Sequence, residues 1–242
     1  MNPVSSQPAS ADLRPGELAR QAENVHSDRA VDVGSAASRF ESWERERDLQ
    51  SLFTRHGLLP LSDKKILEVG CGTGRWLRDL IRWGAQPSNL FGVELLEATA
   101  ARARRLCPAG ITIECGNAAQ LRAATDSFDI VLQAGLFSCV FDDTVKRSIA
   151  GEILRVLRPG GFVLWYDFCL TNPQNPYVQP VSDAEIARLF PGCRMELLRA
   201  TLATPLVRLL AGRSPKACAM LSRVSALCTH YLGVLHKPAA LA

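Results

Sequence analysis

Between Ile66 and Asp167, short apolar runs alternate with stretches of helical period, and this alternation restricts the fold more than any other feature of the chain. The runs are Ile66 to Val69, Leu90 to Glu94, Ile111 to Cys115, Phe128 to Gln133 and Phe162 to Asp167. Helical segments are expected from about Arg75 to Trp83, from Ala98 to Leu106, and from Asp142 or Asp143 to Val156. In the last of these, Val145, Ile149, Ile153 and Val156 form one apolar face. Strands separated by helices pair in parallel through right-handed crossovers, with helices covering the sheet. The expected class is α/β, a three-layer sandwich.

The flanks read differently. Residues 1–37 are rich in Ser, Ala, Pro and Asp without a sustained period, and are expected to be a disordered leader. The folded domain is then expected over 38–238. Ser38 with Glu41 has the spacing of a capping box, Phe40, Trp43, Leu49, Leu52, Phe53 and His56 follow at helical intervals, and Gly57 should stop the helix. Arg158-Pro159-Gly160-Gly161 is expected to break the preceding helix and turn into the fifth strand. Beyond it come a helix from Asp183 to Phe190, an extended stretch from Arg194 to Leu202, a helical insertion at about 205–225 broken near Gly212 to Pro215, and a final strand from Thr229 to His236.

Composition excludes several classes. Apolar residues make up 47% and charged residues 21%, which is ordinary for a globular chain, and a net charge of +4 is too small to argue for nucleic acid. The excess is nevertheless one-sided. From Leu197 onward there is no acidic residue, while Arg199, Arg208, Arg213, Lys216, Arg223 and Lys237 are basic. Such a segment is either a solvated helix face or a surface turned toward an anionic substrate or membrane. The eight cysteines form no C-x-x-C pair, and no N-terminal apolar segment resembles a signal peptide. Reduced thiols, a cytoplasmic location and no metal site are expected. No uninterrupted apolar stretch is long enough for a transmembrane helix.

Chemistry concentrates at Glu68-Val69-Gly70-Cys71-Gly72-Thr73-Gly74, which follows a predicted strand and opens a predicted helix. Glycines there let the backbone turn sharply and approach a ligand, with the helix N-terminal N–H groups nearby. The spacing is G-x-G-x-G. A dinucleotide fingerprint would put its third glycine at position 75, which is Arg75 here. Glu94 ends the second strand, where a carboxylate can accept both hydroxyl hydrogens of a ribose.

These residues resemble the class I (Rossmann-like) S-adenosylmethionine-dependent methyltransferase family, from about Ile66 to Asp167 and including Leu-Arg-Pro-Gly-Gly-Phe at Leu157 to Phe162. The resemblance implies a seven-stranded, mostly parallel sheet whose last strand runs antiparallel, supplied here by Thr229 to His236 beside the fifth strand. It implies S-adenosylmethionine as the cofactor. Gly70, Gly72 and Gly74, with the small Cys71 between them, would lie under its methionine and ribose portions. Glu68 would hold the amino group, and Glu94, followed by Leu95, would bind the ribose. Asn117 and Ala118 would lie near adenine, with Asn standing where the family often has Asp, and Gln133 near the methionine end.

A sulfonium methyl group is already activated, so the protein need only align a nucleophile and exclude water, and a catalytic base is optional. The acceptor is expected at the carboxyl ends of the strands. Three segments should reach it: Gln133 to Asp143, Tyr166-Asp167-Phe168 with the loop Asn172 to Tyr177, and the first helix around Phe40 and Trp43. Asp167 is the candidate base or orienting group. Asn172-Pro173-Gln174-Asn175-Pro176 only superficially resembles the N-P-P-Y motif of nucleic-acid amino methyltransferases, because it follows the fifth strand rather than the fourth. The expected function is methylation of a small or medium molecule, such as a sugar, a glycan terminus or a secondary metabolite. The alternatives are a protein or RNA methyltransferase, a non-catalytic binding module, and a nicotinamide oxidoreductase, which Arg75 disfavours.

Overall fold

The computed structural model describes residues 34–171 and 177–239, so the expected leader up to residue 33 and residues 172–176 of the proline-containing loop lie outside the described residues. The apolar runs form strands β1 (Ile66–Val69), β2 (Leu90–Glu94), β3 (Thr112–Cys115), β4 (Phe128–Ala134) and β5 (Leu157–Phe168). Two more follow, β6 (Arg194–Leu202) and β7 (Cys228–His236). They make one seven-stranded sheet in the order β3-β2-β1-β4-β5-β7-β6. β1 pairs in parallel with β2 on one side and β4 on the other, so the strand order reverses beside it. β7 runs antiparallel to both neighbours, β5 and β6, as expected for the last strand.

The helices are α1 (Ala36–Arg55), α2 (Arg75–Arg82), α3 (Glu97–Leu106), α4 (Asp143–Val156), α5 (Asp183–Leu189), α6 (Thr204–Leu210) and α7 (Pro215–Leu221). Side chains alternate between the two faces of each strand, so neighbouring apolar residues build opposite layers. Ile66, Leu90, Ile130 and Leu164 pack against Leu49 and Phe53 of α1, Leu77 of α2 and Ala100 of α3. Leu67, Val131, Val163 and Trp165 pack against Ile149 and Ile153 of α4 and Ile186 of α5. A smaller cluster of Phe40, Leu202, Val207 and Cys218 ties the start of α1 to α6 and α7.

Three local expectations change. The cap of α1 is Ser35, whose hydroxyl accepts from the Ser38 N–H at 3.1 Å, so Ser38 lies inside the helix and is buried. Trp43 points outward and is 49% exposed. The Arg158-Pro159-Gly160-Gly161 segment makes no separate loop: α4 passes directly into β5, and the break is absorbed as a register shift opposite Phe128 and Ile130. Glycine is needed at 161 because a Cβ there would lie 2.9 Å from the carbonyl oxygens of both Arg158 and Asp129.

Candidate cofactor and acceptor site

The carboxyl ends of β1, β2 and β4 meet where the strand order reverses, which is where open α/β sheets bind ligands. The glycine loop sits there. Gly70, Gly72 and Gly74 have φ of 72°, 53° and 73°, the left-handed region that a side chain disfavours. The loop is stitched to the end of β2: the N–H groups of Gly70 and Cys71 both donate to the Val93 carbonyl, at 2.8 and 3.0 Å. Gly74 is the N-cap of α2, and a Cβ there would collide with the Cys107 sulfur at the end of α3. The third glycine is thus demanded by helix packing. Cys71 turns its sulfur into the core over Gly92, so what it offers the loop is backbone.

Glu94 is buried and binds this loop. Its Oε2 accepts the Gly72 N–H at 2.9 Å and its Oε1 accepts the Leu96 N–H at 3.1 Å. Leu95, beside it, is half-buried, and its carbonyl receives the Cys115 thiol. Asn117 is exposed, and its side-chain carbonyl accepts the Ala119 N–H at 2.9 Å, closing a local turn that also contains the half-buried Ala118. That oxygen, expected to meet an adenine amino group, is already engaged in the turn.

Glu68 leaves β1 toward α2. It is buried, and its Oε2 has no hydrogen-bond partner among the described residues. Burial foremost, then the Asp79 carboxylate, pushes its carboxyl well above the usual range, against an opposing hydrogen bond from the Leu77 backbone; Glu94 adds to the rise. Asp79 is paired with Arg82 at 2.7 Å, so the uncompensated carboxyl here is Glu68, and an ammonium or sulfonium beside it would favour its charged form. Gln133 is fully buried at the end of β4, its Oε1 accepting from the Leu136 N–H at 3.2 Å and its Nε2 unpartnered among the described residues. The donor set and the orphaned polar atoms therefore fit the cofactor implied by the sequence.

Asp167 differs from the expectation of a base facing the acceptor. It is 0% exposed, and its Oδ2 accepts the N–H groups of Phe137 and Ser138 at 3.0 and 3.2 Å. Its Oδ1 accepts its neighbour Phe168 N–H at 2.9 Å. The carboxylate faces α4 and α5 with Trp165 and pins the turn that follows β4.

The opposite face of the same rim brings Tyr166 and Phe168, from a segment expected to reach the acceptor, together with Trp76, Thr201 and His230. Tyr166 packs against Trp76 at 5.2 Å and stacks on His230 at 4.6 Å, and Phe168 contacts the same imidazole. The Tyr166 hydroxyl meets Thr201 Oγ1 at 2.7 Å. Thr201 has φ of 65°, a strained conformation for a β-branched residue, between the Ala200–His230 and Leu202–Cys228 pairs of β6 and β7. Arg45 lies over Trp76, and Arg75 donates to Ser42 at 2.8 Å, so α1 closes this side. Behind it, Glu44 is 1% exposed, accepts the Leu202 N–H, and is pushed up from 4.5 to about 7 by burial.

Two further aromatic side chains lie elsewhere. Trp165 is core, packed on Phe137 and Phe190. His236 stacks on Phe162 at the opposite, amino-terminal rim, beside a cavity of about 360 Å³ lined by Arg55, His56, Arg194 and Glu196. Among the described residues no group of three or more metal-ligating side chains comes together, and no helix is long and apolar enough to cross a membrane.

Residues 66–161 match the family described as Methyltransferase domain. Over these residues the chain is similar to class I S-adenosylmethionine-dependent methyltransferases. The methyltransferase family and its fold bind S-adenosylmethionine. Phthiotriol/phenolphthiotriol dimycocerosates methyltransferase 1 of Mycobacterium ulcerans is 34% identical over 132 residues, covering 53% of this chain and 47% of its own length. 24-Methylenesterol C-methyltransferase 2 of Oryza sativa subsp. japonica is 26% identical over 193 residues, covering 75% of this chain and 45% of its own. The chain thus spans a little under half the length of these curated relatives. The fold is shared with a putative sarcosine dimethylglycine methyltransferase from Galdieria sulphuraria, with a TM-score of 0.62 at 18% identity, covering 83% of this chain and 88% of that one.

Proposed function

We propose that this chain transfers a methyl group from S-adenosylmethionine to a small or medium acceptor of apolar character. The observation that carries the proposal is the glycine loop held to Glu94 through the Gly72 N–H, with the unpartnered Glu68 oxygen beside it. The cofactor supplies an activated methyl group, so the chain's own task is binding, orientation and exclusion of water. Glu68, Gly70, Gly72 and Glu94 are assigned to the cofactor, and Gln133 to its methionine end. The wall of Trp76, Tyr166, Phe168 and His230 is assigned to the acceptor. Among sugars, glycan termini and secondary metabolites, such an aromatic wall favours lipophilic members. Relatives named for phthiotriol dimycocerosates and for 24-methylenesterol support the same choice. Asp167 is assigned to holding the turn after β4 rather than to proton transfer.

Thermal shift and calorimetry test the cofactor assignment. The protein should bind S-adenosylhomocysteine and ignore NAD. Gly72→Val should stay folded and lose that binding, because a branched side chain at φ of 53° both strains the turn and fills the ligand's approach. Unchanged affinity in Gly72→Val, or a preference for NAD, would overturn the proposal.

A further inference from the structure

The basic stretch without acids becomes, in three dimensions, a helical hairpin on the rim that carries the chemistry. α6 starts two residues beyond the end of β6, and α7 leads into the start of β7, so both helices sit at the carboxyl ends of the parallel strands. Each uses one buried residue to hold on: Val207 in α6 and Cys218 in α7, both in the small cluster with Phe40 and Leu202. Two helical positions further on, about 200° around the axis, the opposite crest is apolar in both helices. Leu209 crowns α6 at 59% exposure and Met220 crowns α7 at 71%. Val224, just beyond α7, is 47% exposed. Arg208, Arg213, Lys216 and Arg223 are exposed around these side chains, and no acidic residue lies between Leu197 and the end of the sequence.

We propose that the α6–α7 hairpin is a docking surface for an anionic lipid bilayer. Outward apolar side chains ringed by cations are the composition of an interfacial helix: the apolar crest enters the acyl boundary while the cations meet lipid phosphates. Charge complementarity selects this occupant, since a second copy of the chain would set one excess of cations against another, Glu41 of α1 offsetting only Arg208 on this hairpin. Docking would turn the carboxyl rim toward the membrane, which is the direction from which a lipophilic acceptor must come. This last point rests on the acceptor class proposed above, whereas the docking itself does not.

Sedimentation of the full chain with vesicles tests the proposal. Vesicles containing phosphatidylglycerol should carry the protein down at low salt, pure phosphatidylcholine vesicles should carry far less, and added salt should release it. Arg213→Gln, Lys216→Gln and Arg223→Gln should each weaken partitioning by about fivefold. Leu209→Asp with Met220→Asp should abolish it, at positions whose outward side chains leave the fold intact. S-Adenosylhomocysteine affinity should be unchanged in every variant, so a failure of the cofactor assignment is read separately from a failure of docking. Absence of binding to anionic vesicles, or equal binding by wild type and both kinds of variant, would overturn the proposal. So would light scattering that shows a dimer dissolved by Leu209→Asp with Met220→Asp, because the crest would then belong to self-association.

Discussion

Two buried carboxylates of this chain have opposite relations to their surroundings. Asp167 is surrounded by donors: three backbone N–H groups point at its two oxygens. Asp167→Asn would set an amide NH₂ against at least one of those N–H groups, costing about 1–3 kcal/mol. The variant should therefore unfold at a lower temperature, whereas a catalytic base exposed to substrate would lose activity with the melting temperature unchanged. Glu44 is in the reverse situation, because burial raises its carboxyl to about 7 with the Leu202 N–H only partly compensating. A raised value means that the folded chain holds this proton more tightly than the unfolded one. Below the ordinary value of 4.5 the burial costs nothing electrostatically, and stability is lost as pH rises toward about 7. The full cost above that point is about 3 kcal/mol. Glu44→Gln keeps the shape and an acceptor for Leu202, so it should flatten the decline in urea midpoint across that window and be the more stable protein at mildly alkaline pH. Parallel pH profiles for the two proteins would contradict this. The glycines and Glu94 were legible in the sequence because each answers a demand of nearby backbone. Glu44 was not, because its partner lies 158 residues away and no local pattern records such a contact. Thr201 and His230 were hidden for the same reason: a strained backbone angle within a paired strand and stacking across strands arise only when β5, β6 and β7 meet.

Among the elements, strand and helix periods were readable where burial is one-sided or complete, and the boundaries moved where capping chemistry competes. Ser35 and Ser38 both offer a hydroxyl, and the glutamate at 41 made the later one look like the cap. In the structure Glu41 has other company, since Arg45, Arg75 and Arg208 all lower its carboxyl against the dominant rise from burial. The joint between β2 and α2 shows a constraint that no period reveals. Gly92 pairs with Glu68 in the register, and a Cβ on it would stand 2.8 Å from the Cys71 sulfur and 2.9 Å from Leu77 Cδ1. The glycine loop and the first turn of α2 therefore settle so closely onto β2 that a side chain at position 92 would have to displace both Cys71 and Leu77. Gly92→Ala should lower stability by about 1–3 kcal/mol, the usual cost of overpacking. Cys71→Ala should recover part of that loss by removing the nearer obstacle. Urea unfolding of the single and double variants measures both, and additive losses would show that the two positions do not share the strain.

In the whole molecule, the sheet divides its labour by strand. β1, β2 and β4 carry the glycine loop and its acids, while β5 and β7 carry Tyr166, Phe168 and His230 of the aromatic cluster, with β6 at the edge, and α1 lies across the second group. The position of β7 has a consequence for how such a chain comes into being. A ribosome delivers β6 before β7, yet β6 hydrogen-bonds to no other strand of the sheet. Until β7 is translated, β5 exposes an open edge and β6 has no place to pair, so half of the rim waits on the last strand described. The cofactor half, complete by the end of β4, can assemble earlier. During synthesis this protein would thus own its glycine-loop half before it owns the aromatic half beside it.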